Sequence, residues 1–225
     1  MLRITTNKVK YSCLFLILTI SFWRSPFIFL NGRFIGEEAT HHLLFALQNS
    51  FFSNLIYYDK FAGYYNLIPN LLTEIATKVP LEFSPIITVY GSFLFIILLP
   101  YLCLFRESNF LDNDYKKIIA SFILFLSPPF VSELWVNSLN VQIYLCLIAV
   151  LILFMNNLNS KQKIFNHILI FFGSLSGIYT CALAPFYFFK FISKKNRYNF
   201  YNFLILLIGN ILQLSLILKA KINNT

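Results

Sequence analysis

Long apolar runs constrain the fold of this chain more than any other feature. A bilayer core of roughly 30 Å needs about 20 apolar residues per helix. Gly173, Gly177 and Pro185 interrupt one long apolar region, so we expect six or seven transmembrane helices in an all-α integral membrane protein. The candidate spans are residues 11–30, 84–105, 117–131, 139–155, 164–181, 181–192 and 200–219.

The composition also favours an integral membrane protein. The chain of 225 residues is 58% hydrophobic and only 12% charged, whereas soluble domains carry roughly 25% charged residues. Its net charge of +9 could indicate a nucleic-acid partner. The basic residues, however, lie in short clusters between apolar runs rather than in one patch, so we exclude nucleic acid as a partner.

The distribution of lysine and arginine predicts the orientation of the chain. If the N-terminus is cytoplasmic and seven segments alternate, the inside stretches hold twelve Lys and Arg and the outside stretches six. This asymmetry agrees with the positive-inside rule. The first run follows Arg3, Lys8 and Lys10 and lacks a small-residue cleavage site, so we expect an uncleaved signal anchor. Residues 24–83 would then form a long extracytoplasmic loop.

This first loop has helical patterning of its own. Apolar residues recur at helical spacing in residues 37–51 and again in residues 64–79, each opposite a polar face. We expect two amphipathic helices that lie at the membrane surface. The whole chain, residues 1–225, is then one transmembrane domain.

The loop opens with a cluster of acidic and imidazole side chains. On a helix, Glu37 pairs with His41 and Glu38 with His42 at i,i+4 spacing. A carboxylate and an imidazole at this spacing can share a proton or a divalent metal ion. The alternative is that the two acids only stabilise the N-terminus of a helix through its dipole.

A second polar stretch follows the third candidate span. Glu133, Asn137 and Asn140 are spaced so that they can face one direction on a helix. Polar groups near a bilayer need partners, which makes a polar cavity one interpretation. An ordinary polar loop, with Trp135 as an interface anchor, is the other.

A third stretch, residues 57–65, combines aromatic and charged residues. Asp59 and Lys60 could meet a charged substrate. The tyrosines around them are more typical of residues that anchor a protein at the membrane interface. No nucleotide-binding, zinc-protease or serine-hydrolase motif occurs in the sequence.

The order of these features resembles the GT-C class of multispanning membrane glycosyltransferases, particularly bacterial members. In that class a first span leads into a long outer loop that opens with an acidic pair, here Glu37-Glu38. Residues 63–69 are similar to a GY-type segment of that loop. Residues 127–142 are similar to a P-x-x-x-E…N-x-x-N-x-Q pattern, and residues 174–185 and 211–213 also fit in order.

The resemblance implies transfer of a sugar from a polyprenyl-phosphate donor to a glycan or lipid acceptor at the outer face of the bacterial cytoplasmic membrane. Glu37 and Glu38 would then be the base or the ligands of a Mg or Mn ion, and their helical spacing adds His41 and His42 as further candidate metal ligands. Arg24 and Lys60 would bind the donor phosphate. The resemblance also implies substrate-binding roles for Tyr64, Glu133, Asn137, Asn140 and Gln142.

The sequence is also compatible with two other functions. One is a non-catalytic polytopic membrane protein, such as a polysaccharide-export or transport subunit or a truncated remnant. The other is an enzyme like the O-antigen polymerases, which would favour a large acceptor loop later in the chain. Because typical GT-C members are longer, we also expect that this chain corresponds to the N-terminal part of a longer protein.

Overall fold

The computed structural model describes residues 7–60, 63–126 and 135–223, and this part of the chain is mostly helical. The predicted site residue Glu133 lies outside the described residues. The α-helices are α1 (Asn7–Arg24), α2 (Pro26–Asn31), α3 (Leu44–Gln48), α4 (Phe51–Leu55), α5 (Leu67–Ala76), α6 (Ser84–Phe105), α7 (Asp114–Leu126), α8 (Val141–Phe154), α9 (Ser160–Leu175), α10 (Ala184–Lys194) and α11 (Arg197–Asn223).

Shorter elements complete the chain. A π-helix spans Glu38–Leu43, and 3-10 turns span Leu81–Phe83 and Cys181–Leu183. Two short strands, β1 (Tyr58–Asp59) and β2 (Tyr64–Tyr65), pair antiparallel. These elements lie between the long helices, where they shape the polar surface described below.

Two helical segments in the described part of the chain are long and apolar enough to cross a membrane. They are Leu81–Phe105, which includes α6, and Arg197–Ile222, within α11. This is fewer than the six or seven spans that the sequence predicts. Helix α1 carries three basic residues, and α8 has 14 residues, short of the roughly 20 that a full bilayer crossing needs.

The long helices nevertheless run back and forth between two ends of the molecule. At one end, which we call the Glu38 end, Glu38 contacts Ser138, and Asn66 forms a β-bridge with Ser176. At the other, which we call the Asp114 end, a β-bridge joins Ser108 to Met155. Lys10, near the start of α1, is 2.7 Å from Asp114 at the start of α7.

The largest apolar core lies between α6, α8 and α9. Leu99, Leu145, Ile148 and Ile170 are almost fully buried there. The hydroxyl of Tyr187 on α10 donates to the carbonyl of Ala149 at 2.7 Å, which satisfies a phenol in an otherwise apolar region. This core fixes the frame on which the Glu38 end is built.

Helix α5 differs from the expected surface helix. The sequence predicts an amphipathic helix with its polar side at the membrane surface, but α5 is covered on both sides. Ile68 and Leu72 pack into the apolar core, while Asn70 and Glu74 are also buried, against the π-helix and α4. The predicted exposure of the polar side was therefore wrong for α5, because other parts of the same loop cover it. Its position at a membrane surface stays a prediction.

Gly32 holds the end of α2 against the start of α6. Its φ is +67°, and a β-carbon there would lie 2.7 Å from the backbone nitrogen of Ile86. We expect Gly32→Ala to destabilise the protein by roughly 1–3 kcal/mol, because φ +67° with ψ 166° is a conformation almost confined to glycine, and by a further ~1–3 kcal/mol through overpacking. Thermal unfolding of the purified protein in detergent measures the effect.

Gly36→Ala is the matched control. Gly36 also has a positive φ, +52°, but no atom lies within 4 Å of a β-carbon there. It should lose only the conformational part, about 1–2 kcal/mol. Equal losses in the two variants would contradict the close contact between Gly32 and α6.

Candidate functional site

A small open cleft lies at the Glu38 end. It encloses about 240 Å³ of empty space, a volume that includes the open solvent of its mouth. Much of its lining is polar or ionisable, unlike the apolar core beneath it. The lining residues are Glu37, His42, Asp59, Tyr64, Asn66 and Leu139.

The π-helix places the acidic and imidazole residues at this cleft. It contains one residue more per hydrogen-bonded turn than an α-helix, a distortion that is frequent at functional sites. The described contacts do not include the expected pairs Glu37–His41 and Glu38–His42. His42 instead contacts Asn70, because α5 packs directly against the π-helix, and His41 contacts Asp59 of β1.

Glu38 is buried, with 1% of its surface exposed. One carboxylate oxygen accepts hydrogen bonds from the backbone N–H of Ser138, at 2.8 Å, and from its hydroxyl. The other accepts from the N–H of Ile35 at 3.0 Å. Burial raises the pKa of Glu38, while these hydrogen bonds and the charge of Arg33 act in the opposite direction. The carboxylate thus ties the first loop to the turn before α8.

The hydrogen bonds of Asn70 fix the tautomer of His42. The Asn70 amide nitrogen donates to the carbonyl of Tyr57 at 2.7 Å, so its amide oxygen is the atom that faces His42. Because that oxygen only accepts, His42 Nδ1–H must be the donor, at 2.7 Å. The lone pair of the neutral ring is therefore on Nε2. Burial lowers the pKa of His42 below its ordinary 6.5, so the ring is neutral at pH 7.

Asp59 supplies a second carboxylate to the cleft. It is 5% exposed, and its Oδ2 lies 2.5 Å from Nδ1 of His41. The π-helix and β1 are thereby joined by an acid–imidazole contact. Glu37, in contrast, is exposed at the cleft. The cleft therefore contains one buried carboxylate that contacts an imidazole, Asp59, and one carboxylate exposed to solvent, Glu37.

Tyr64 borders these carboxylates. The amide nitrogen of Gln142 donates to its hydroxyl at 3.2 Å. Burial raises the pKa of Tyr64, and the negative charges of Glu37 and Asp59 raise it further. The phenol therefore keeps its proton across the neutral range and can act as a hydrogen-bond donor.

The other predicted site residues lie around the cleft rather than in it. Arg24 is exposed, with its guanidinium 4.9 Å from the centre of the Trp135 ring, and Lys60 is exposed after β1. The Asn137 side chain is buried and its oxygen accepts from the N–H of Leu139 at 2.8 Å. Asn140 is half-buried and precedes α8.

A metal ion at this site stays a prediction. Among the described residues, no three His, Cys, Asp or Glu side chains are grouped so that they could hold a metal ion. Glu38 already accepts three hydrogen bonds, and His41 contacts Asp59. The four predicted ligands thus do not converge in this arrangement, and we assign no chemical step to a metal.

Sequence reasoning missed three residues that hold the site. Asn70 and Asn54 orient His42 and Glu74, since the Asn54 amide donates to the Glu74 carboxylate at 3.2 Å. Ser138 supplies two of the donors to Glu38. Polar residues on one side of a predicted helix were a signal for Asn70, but nothing local in the sequence distinguishes Ser138.

The chain matches no known protein-family model, no curated protein and no solved structure. The functional argument therefore rests on the geometry of the cleft and on the surface around it.

Glu38→Gln tests whether the Glu38 carboxylate holds the first loop against the turn before α8. The amide would place an N–H group opposite one of the three donors that now face the carboxylate, leaving a buried donor unpaired. We expect a loss of ~1–3 kcal/mol in the free energy of unfolding, measured by chemical or thermal denaturation.

Glu37→Gln is the matched control, one position earlier in the chain. Because Glu37 is exposed, its substitution should change stability by less than about 0.5 kcal/mol. If Glu38→Gln proved as stable as Glu37→Gln, the three hydrogen bonds of Glu38 would not be what fixes the loop.

Proposed function

We propose that this protein is a multi-pass membrane glycosyltransferase of the bacterial cytoplasmic membrane. It transfers a sugar from a polyprenyl-phosphate donor to a glycan or lipid acceptor at the extracytoplasmic face. The observation that carries the proposal is the cleft, in which a neutral imidazole with a lone pair lies beside two carboxylates at one end of an apolar helical body.

The distribution of side chains supports a membrane setting. Large apolar residues are exposed along several helices, whereas many amide and carboxyl groups are buried. In water, an apolar surface of this extent is a liability, but hydrocarbon tails accommodate it. The exposed set includes Phe15, Trp23, Leu94, Ile123, Phe189, Ile208 and Leu218.

The two ends of the molecule support the proposed orientation. Helices α1, α7 and α9 begin at the Asp114 end, and their first turns carry many of the lysines. Lys190, near the end of α10, donates to the carbonyl of Leu153 close to the same end. A cytoplasmic Asp114 end agrees with the positive-inside rule, and the cleft then faces outward.

The proposed reaction is a substitution at the anomeric carbon of the donor sugar. The acceptor hydroxyl oxygen attacks that carbon, its bond to the phosphate oxygen breaks, and polyprenyl phosphate leaves with the bonding electrons. Nε2 of His42 takes the proton of the acceptor hydroxyl, while Asn70 holds Nδ1–H. The carboxylates of Glu37 and Asp59 stabilise the positive charge that develops on the ring and the sugar.

This proposal changes the roles that the resemblance implies. Glu38 becomes a positioning residue, because its carboxylate is already occupied by three donors. Glu37 stays in the catalytic cleft, and His42 changes from a metal ligand to the base. Arg24, which is exposed above Trp135, remains a candidate for the donor phosphate, as does Lys60.

The orientation is tested by labelling cysteines from outside. With the two partly exposed native cysteines, Cys13 and Cys146, replaced by alanine, Glu37→Cys should react with a membrane-impermeant maleimide in right-side-out vesicles. Asp112→Cys, exposed near the other end, should react only after the membrane is permeabilised. The reverse pattern would place the cleft in the cytoplasm and remove it from the proposed donor.

The catalytic role of His42 is tested by His42→Gln. Loss of a general base should lower kcat by roughly 10²–10⁴-fold with a smaller change in KM, in membranes supplied with a panel of polyprenyl-phosphate sugars. In the wild type, kcat/KM should fall as the pH drops below the His42 pKa, which burial holds below 6.5, because protonation removes the lone pair.

His167→Gln is the matched control for this assay. His167 lies on α9 away from the cleft, with Nδ1 2.6 Å from the Asn202 amide oxygen. It should keep the wild-type rate. Unchanged transfer by His42→Gln would refute the proposed base.

A further inference from the structure

We propose that four basic side chains at the Asp114 end form a binding surface for the headgroup of an anionic phospholipid in the cytoplasmic leaflet. The inference rests on the membrane setting and the orientation of the proposed function, but not on the proposed reaction. It goes beyond that function by assigning a lipid partner to the end of the molecule opposite the cleft. The four residues, which we call the basic cluster, are Lys163, Lys194, Lys195 and Arg197.

A hydrogen bond and a close contact join α9 to α11. The amide nitrogen of Asn166, on α9, donates to the hydroxyl of Tyr198, on α11, at 2.9 Å. Further along both helices, a β-carbon at Gly209 would lie 2.6 Å from the β-carbon of Ser174. The two helices therefore run in parallel from the Asp114 end.

This register places the basic cluster at one level of the molecule. Lys163 lies three residues before Asn166 on α9, so it is on the same side of that helix and one turn closer to the Asp114 end. Arg197 directly precedes Tyr198, and the turn of residues 194–196 joins the end of α10 to α11. The fold thus gathers two short basic segments that lie far apart in the sequence.

The charges of the basic cluster are not neutralised by a carboxylate among the described residues. All four side chains are exposed, and none of them forms an ion pair there. The described acids of this end contact other groups: Asp114 contacts Lys10, Asp112 contacts Lys116, and Glu107 accepts from the Asn157 amide. The basic cluster is therefore a concentration of positive charge that is open to an anion from outside the polypeptide.

Exposed apolar side chains border the basic cluster on all three helices. Each lies within one turn of a cluster residue, on the side towards the middle of the molecule; they are Ile164 of α9, Ile192 of α10 and Phe200 of α11. A phospholipid has the same arrangement, with an anionic phosphate at the interface and acyl chains that extend towards the middle of the bilayer. A soluble anion offers only the charge, so we assign the basic cluster to a lipid.

Native mass spectrometry of the full chain in a non-ionic detergent measures the binding of individual lipids. The probe is phosphatidylglycerol, and phosphatidylcholine with the same acyl chains is the reference without net charge. We expect the wild type to prefer phosphatidylglycerol. Lys163→Gln combined with Lys194→Gln removes one exposed charge from each of two helices. This variant should bind phosphatidylglycerol about 5- to 30-fold more weakly, with no change for phosphatidylcholine.

Lys116→Gln combined with Lys219→Gln is the matched control, because it removes the same total charge. Lys116 pairs with Asp112 at the Asp114 end, and Lys219 lies beside the ring of Tyr58, on β1. The control should keep the wild-type affinity for phosphatidylglycerol. Equal affinities of the wild type for the two lipids, or equal affinities of the two double variants for phosphatidylglycerol, would overturn the inference.

The headgroup without its acyl chains distinguishes a lipid site from a site for soluble anions. Glycerophosphoglycerol carries the same phosphate diester but cannot contact the apolar border of the basic cluster. At the concentration at which phosphatidylglycerol binds, it should not bind. Binding of both compounds with equal affinity would overturn the assignment to a lipid.

The transfer assay and cysteine labelling separate this inference from the proposed function. His42→Gln should bind phosphatidylglycerol like the wild type while losing transfer. Lipid preference through the basic cluster without any sugar transfer by the wild type would keep the inference and refute the enzyme. Transfer that depends on His42 without any lipid preference would do the reverse. In the cysteine-replaced background, Lys195→Cys should react with the impermeant maleimide only after permeabilisation, and reaction from outside would overturn the assignment to the cytoplasmic leaflet.

Discussion

The carboxylate of Glu38 is the contact on which the arrangement of this protein depends. It joins two segments one hundred residues apart, the start of the π-helix and the turn before α8. A buried carboxylate is stable only when its oxygens are paired, so the loop and the turn must keep this geometry together. Because His42, Asn66 and Leu139 belong to the same two segments or their neighbours, the same contact sets the shape of the cleft.

Helix α5 fixes further parts of the Glu38 end in the same way, through contacts on two of its sides. Its apolar side belongs to the main core, and its polar side supplies Asn70 to His42 and Glu74 to Asn54. A helix that is covered on both sides cannot shift without breaking one set of contacts. Asn70 therefore holds His42 from a packed helix rather than from a loop, which is what the proposed acid–base chemistry requires.

The last long helix contributes to the same polar region. Gln213 on α11 accepts from the N–H of Tyr65 and donates to its carbonyl, both at 2.9 Å, much as a neighbouring strand would. An amide inside an apolar helix needs such a partner. At the Glu38 end, buried backbone and amide groups thus pair with one another, next to the apolar core.

The sequence by itself determined that the chain is mostly helical, since its apolar runs allow little else, and the run at residues 84–105 coincides with α6. It also marked Glu37, Asp59 and His42 as candidate site residues. Only the tertiary structure decided how they pair, because helical spacing relates neighbours along one helix, while Asn70 and Ser138 reach His42 and Glu38 from distant segments. The separate roles of Glu37 and Glu38 follow for the same reason: adjacent, chemically identical side chains differ here only in burial and in the donors that the fold brings to one of them.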